Sequence, residues 1–163
     1  MIHTDDIAAS LTALFSELVD GASTEEGQAF MLNPGDAGLL RSLDAVSAEA
    51  ASRSNASGAS IAAHIEHLRY GLSLMNRWAA GENPFADADW SASWKKQRVT
   101  DAEWTTLRAA LHDESRRWRD ALRQPREIGD GDFKAMAGSI AHLAYHLGAI
   151  RQIDTATRGP TAT

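Results

Sequence analysis

Two histidines near the C-terminal end of the chain, His142 and His146, stand four residues apart. On an α-helix such residues lie on one face, one turn above the other. Two imidazoles placed in this way can bind one divalent metal ion from the same side. Apolar residues at helical spacing surround the pair, so much of this helix should face the core. Because a buried imidazole needs a partner, a shared cation is the most economical explanation for the pair.

A third metal ligand should come from a different helix, and the candidates are His64 and His67, which are three residues apart. They lie at the two margins of a predicted apolar stripe, so helical periodicity alone does not choose between them. We take His67 as the first candidate and His64 as the alternative. The one that is not a ligand is expected to be either a solvated histidine or a histidine at the lip of the site. His3 and His112 are expected to be surface residues with no site to join.

The elements that must position these residues are helices, because apolar residues recur at helical spacing and no long alternating run predicts a strand. We predict helices over about residues 5–20, 37–52, 60–80, 100–123 and 133–156. The helix over 37–52 is the short accessory one. The remaining four predict an all-α, antiparallel four-helix bundle, with a single domain over residues 1–163 and its core over about 5–157.

The segment over residues 82–100 has no clear period and is predicted to be a long crossover loop. Loops of this length in a compact domain usually carry function or cover a site. Trp90 and Trp94 are expected to fold over one end of the bundle as a lid, above either the metal or a partner chain. The other tryptophans stand at helical spacing and are predicted to be core residues: Trp78, Trp104 and Trp118.

Two motifs make the sequence similar to a known family, the DinB-like (YfiT-like) metalloenzymes. Its members show a stretch like S-I-x-x-x-x-x-H-L at the start of the second bundle helix and H-x-x-x-H-x-G-Q-I in the last. Here residues 60–68 read SIAAHIEHL, and residues 142–150 read HLAYHLGAI. The resemblance covers about residues 5–155. It implies that His67, His142 and His146 are the metal ligands.

The resemblance also implies a function, which is metal-dependent chemistry on a small-molecule substrate. Three neutral imidazoles leave a coordination position open, as in catalytic sites. A bound metal can lower the pKa of water or hold a thiol as thiolate. We therefore expect a hydrolase or, as the family favours, an S-transferase that uses a low-molecular-weight thiol. The expected ion is a divalent transition metal (zinc, nickel or iron), and the expected assembly is a homodimer.

One departure from the family pattern favours an alternative function. The glutamine that follows the motif glycine is replaced by Ala149. If that glutamine binds substrate or orients a ligand, the chain is instead a non-catalytic, metal- or ligand-binding dimeric helical bundle. Tyr70, three residues after His67, is a candidate substrate-binding residue at the mouth of the pocket, and core packing is its alternative role.

Composition excludes several other functions. The chain has no cysteine, which excludes disulfides, thiolate nucleophiles and iron–sulfur clusters. The formal charge of −6 disfavours nucleic-acid binding. Without a signal-peptide pattern or a long apolar run, we expect a cytoplasmic protein that does not contact membranes. A run of arginines is predicted to form a solvated helix face, with an anionic substrate as the alternative partner: Arg116, Arg117, Arg119, Arg123 and Arg126.

Overall fold

The computed structural model describes residues 4–25, 27–54, 58–124, 127 and 129–161, and in these residues all regular secondary structure is helical. The α-helices are α1 (Thr4–Asp20), α2 (Gly38–Ser42), α3 (Ala48–Ala51), α4 (Ile61–Ala79), α5 (Asp101–Arg123) and α6 (Asp130–Ile153). Short 3-10 helices cover Leu43–Ala45, Ala92–Trp94 and Thr155–Thr157. The all-α prediction is confirmed. His3 and Arg126 lie outside the described residues.

Four long helices, α1, α4, α5 and α6, build the body of the protein. Helix α5 packs against α1 and α4, and α6 packs against the same two helices. Most of the largest fully buried side chains come from these helices, among them Phe15, Ile65 and Trp118. Burying a side chain of this size contributes about 1.5–3 kcal/mol. Packing of the apolar faces therefore fixes how α4 and α6, which carry the candidate ligands, approach each other.

Side-chain caps set where α4 and α5 begin. The hydroxyl of Ser60 accepts a hydrogen bond from the backbone N–H of Ala63, 3.2 Å away. Thr100 and Glu103 form a reciprocal capping box at the start of α5. Such caps satisfy backbone donors that the first helical turn leaves unpaired. Both predicted starts are confirmed.

The accessory helix predicted over residues 37–52 is wrong as a continuous element. Helix α2 gives way to the 3-10 helix, Val46 is extended (φ −102°, ψ 116°), and α3 begins afresh after Ser47. The indole N–H of Trp104 on α5 donates to the carbonyl of Val46 at 2.7 Å. The interruption therefore supplies a buried acceptor that a continuous helix would have used internally.

The irregular segment after α1 is held by one carboxylate. Glu17 is buried, and its Oε1 accepts the backbone N–H groups of Met31 and Leu32, both at 2.7 Å. The same carboxylate accepts the N–H of Phe30 at 3.1 Å. One side chain thus replaces the regular partners that these three backbone donors lack. In the described part of the chain, no helix has both the length and the apolar character needed to cross a membrane.

We predict that Glu17→Ala lowers the free energy of unfolding by about 2 kcal/mol or more, because three backbone donors lose a charged acceptor. Glu49→Ala, at an exposed helical position, is the control and should change it by less than about 0.5 kcal/mol. Urea denaturation followed by circular dichroism measures both variants. Equal stability of the two would contradict this role of Glu17.

Candidate metal centre

Three histidine nitrogens converge between α4 and α6. The Nε2 atom of His142 lies 3.0 Å from Nε2 of His67 and 2.9 Å from Nε2 of His146. One ligand atom from each ring lies within 4.8 Å of the other two. The structure therefore brings together the three residues that the sequence motifs single out.

The apolar packing of both helices positions these rings. On α6, Leu143 and Leu147 are buried and turn the neighbouring face, with His142 and His146, toward α4. On α4, the buried Leu68 follows His67 directly. His67 and His146 are themselves buried, and His142 is half-buried.

The outer nitrogen of His67 has a defined partner. Its Nδ1 lies 2.7 Å from the hydroxyl of the buried Ser93. That hydroxyl already donates its only hydrogen to the carbonyl of Trp90, also at 2.7 Å. Ser93 must therefore accept, and His67 must donate from Nδ1. We assign the Nδ1–H tautomer to His67, which leaves the lone pair of Nε2 facing the other two histidines.

His64 is not the solvated histidine that we expected. It is buried, and its Nδ1 lies 2.8 Å from Nδ1 of His146. When His146 donates in this hydrogen bond, its Nε2 also presents a lone pair to the centre, which is the form a metal ligand needs. A signal was present in the sequence, since His64 follows the buried Ile61 by three residues and precedes the buried Leu68 by four.

Burial keeps the cluster uncharged. Desolvation, together with the neighbouring histidines, lowers the pKa of His67 to about 4 and that of His146 to about 3. Burial also lowers the pKa values of His64 and His142. At neutral pH all four imidazoles are therefore neutral, which is the protonation state that binds a metal ion.

The spacing of the nitrogens fits a shared ion. Nitrogens bound to one zinc ion at about 2.0–2.1 Å lie about 2.8–3.4 Å apart, for bond angles between a right angle and the tetrahedral value. The separations of 2.9 and 3.0 Å lie within this range, near its lower end. Without a cation, the one N–H that His142 can direct inward satisfies only one of the two facing lone pairs. The donor set and its spacing both fit a transition metal.

Two tryptophans of the loop between α4 and α5 cover the cluster. The ring of Trp94 stacks on His67 with centroids 4.2 Å apart, and it lies 5.5 Å from His146. Trp90 lies 5.5 Å from His67 and 6.4 Å from His142. The sequence left open whether Trp90 and Trp94 cover the metal-binding residues or a partner chain. Both rings lie over the histidines.

Tyr70 supports this cover. Its hydroxyl accepts the backbone N–H of Asp89 at 2.9 Å, and its ring meets the edge of Trp90 at 5.5 Å. These contacts hold the loop against α4. The substrate-binding role of Tyr70 stays a prediction.

The remaining tryptophans, His112 and the arginine run lie outside the histidine cluster. Trp104 and Trp118 are buried, and the half-buried Trp78 packs beside Trp118 with ring centroids 6.2 Å apart. His112 is exposed on α5. The described arginines of the run all face carboxylates: Arg116 with Asp113, Arg117 with Glu114, Arg119 with Asp20 and Arg123 with Asp120.

Comparison with protein-family models, with curated proteins and with solved structures finds no match for this chain. The likeness to the DinB-like family therefore depends on the two histidine motifs and the order of the helices.

We predict that the metal-free protein loses stability as the pH falls from 7.0 to 5.5. The pKa values of His67 and His146 are lowered by folding, so below pH 6.5 the unfolded chain takes up protons that the folded chain refuses. The slope approaches about 1.4 kcal/mol per pH unit for each such histidine. Urea denaturation in EDTA measures it.

The matched control is His112→Gln, which should keep this pH dependence, whereas the double variant His67→Leu/His146→Leu should reduce it. Identical slopes in the wild type and the double variant would show that the cluster is not the cause.

Proposed function

We propose that this chain is a metal-dependent enzyme of the DinB-like type that holds one divalent transition ion through His67, His142 and His146. The observation that carries the proposal is the convergence of three Nε2 atoms, two of them 2.9 and 3.0 Å from the third. Hydrogen bonds to Ser93 and His64 occupy the outer nitrogens of His67 and His146. The inner nitrogens are thus left to share a cation.

The donor set suits zinc, nickel or iron, since imidazole binds all three. When bound, such an ion would favour the thiolate form of a coordinating thiol or lower the pKa of a coordinating water. The surrounding residues orient the ligands and limit the access of water. Ser93 and His64 orient two of the ligand rings, while Trp90 and Trp94 exclude water from one side.

Between the two reactions, the surroundings favour thiol-dependent S-transfer over hydrolysis. In the described part of the chain, no carboxylate hydrogen-bonds any of the four histidines, whose partners are one another and Ser93. A hydrolase commonly needs a positioned base to move protons. A thiol cosubstrate brings its own nucleophile, and the chain has no cysteine to supply one.

The architecture gives further support. The four long helices pack so that α1 and α4 each contact both α5 and α6, which is the arrangement expected of a DinB-like four-helix bundle. We extend the proposal to a homodimer acting on a small molecule in the cytoplasm, for which the support is the family resemblance and the sequence composition.

A non-catalytic, ligand-binding bundle is the second candidate. Ala149 favours it, because the methyl side chain at this half-buried position cannot form the hydrogen bonds of the family glutamine. Stoichiometric metal binding without turnover of any thiol–electrophile pair or hydrolase substrate would support this candidate over the enzyme.

We predict that protein purified without a histidine tag binds about one equivalent of zinc or nickel, measured by elemental analysis and titration. His142→Ala and His67→Ala should each abolish tight binding, while the exposed control His112→Ala should retain it. Less than about a tenth of an equivalent, with no gain on titration, would contradict the proposal.

We predict that His64→Leu lowers zinc affinity about 10- to 100-fold, because His146 loses the partner that orients its ring. Competition with a chelator of known affinity measures the change, with His112→Leu as the matched control. Affinity within about twofold of the wild type would show that His64 only fills space.

A further inference from the structure

An apolar cavity of about 260 Å³ adjoins the histidine cluster between α4 and α6. His142 belongs to both, because it lines the cavity and its Nε2 joins the cluster. Most of the remaining wall is hydrophobic: Leu68, Leu72, Met75, Phe85, Trp90 and Leu143.

The cavity offers a ligand very few polar partners. Besides His142 and the indole N–H of Trp90, the wall contains one polar side-chain group, the hydroxyl of Ser139. Its hydroxyl donates its only hydrogen to the carbonyl of Met136 at 2.7 Å and accepts the indole N–H of Trp118 at 3.0 Å. Ser139 therefore has no hydrogen left to donate to a ligand.

Two large side chains that line the cavity are exposed without a ligand. Phe85 is 42% exposed and Trp90 is 40% exposed. Apolar groups that are exposed around a concave site are typical of ligand-binding sites, because a ligand removes them from water. Trp90 also covers His67 and His142, so a ligand in the cavity would contact the same ring that shields the cluster.

We propose that this cavity binds the apolar part of an uncharged substrate, an aromatic or branched aliphatic group, with the reacting end directed at His142. The inference deepens the proposed function and rests on it for the reaction, but not for the binding of the apolar group. An apolar cavity of about 150 Å³ suffices for benzene. The volume of about 260 Å³ therefore suits a ring that carries a short substituent.

Charged ligands are excluded by the same wall. The free energy needed to bury an ionised carboxylate without a partner is far larger than the free energy gained from the apolar contacts. The residues that line the cavity include no arginine or lysine. An anionic group would have to stay in solvent at the mouth or bind at the metal.

Two glycines of α6 provide a matched pair of variants. Gly138 lines the cavity, and a Cβ added there would have no heavy atom within 4 Å. Gly148 lies on the same helix outside the cavity, and a Cβ added there is equally free. Both positions are exposed and have room for a Cβ, so we expect the fold to accept leucine at either one, while only Gly138→Leu narrows the cavity. Ala135→Leu, which also alters the wall, is the second test variant.

The experiment measures binding of 4-fluorotoluene to the metal-free protein in EDTA by ¹⁹F NMR, with 4-fluorobenzoate as the charged probe. We expect saturable binding of 4-fluorotoluene that is weakened about tenfold or more by Gly138→Leu and Ala135→Leu. Gly148→Leu should leave the dissociation constant within about twofold of the wild type, and 4-fluorobenzoate should bind at least about tenfold more weakly.

The inference is overturned if binding of 4-fluorotoluene does not saturate or if Gly138→Leu and Gly148→Leu have the same dissociation constant for it. It is also overturned if 4-fluorobenzoate binds as tightly as 4-fluorotoluene. Because the metal-free protein is used, the result is independent of the metal. Binding of 4-fluorotoluene by a protein that takes up no zinc would uphold the cavity and overturn the metal site, and zinc uptake without 4-fluorotoluene binding would do the reverse.

Discussion

The candidate metal centre depends on one local constraint, the close approach of three imidazole nitrogens that have too few protons to satisfy one another. His67 directs its Nδ1–H at Ser93, and His146 meets His64 through Nδ1, so the Nε2 atoms of both rings point at His142. Lone pairs forced together in this way repel unless a cation lies between them. The packing of α4 against α6 maintains the approach, since both helices bury leucines beside the ligands.

Burial then links the cluster to its surroundings. Desolvation lowers the pKa values of the histidines, so the site is neutral and ready for a cation at physiological pH. The stacked ring of Trp94 contributes to that burial, and Trp90 joins the cluster to the apolar cavity at His142. A single loop, fastened to α4 through Tyr70, thus forms part of both the candidate metal centre and the proposed substrate site.

The sequence was informative wherever a local rule determines the outcome. Helical periodicity located the long helices, and the four-residue spacing of His142 and His146 placed both rings on one side of α6. It was less informative where distant residues meet. The break at Val46 depends on an indole 58 residues away, and the burial of His64 depends on a histidine 82 residues away. The break at Val46 leaves no mark in the neighbouring sequence, and the apolar spacing around His64 indicates its burial without identifying its partner.

The most direct test of the account is an anomalous-scattering map at the zinc edge, from crystals of untagged protein grown with zinc. We predict a single peak within coordinating distance, about 2.0–2.1 Å, of Nε2 of His67, His142 and His146. The refined electron density of the same crystals should show Nδ1 of His146 still within hydrogen-bond distance of Nδ1 of His64. A map without a peak at these atoms, or rings turned away from a common centre, would contradict the claim that the three nitrogens share an ion.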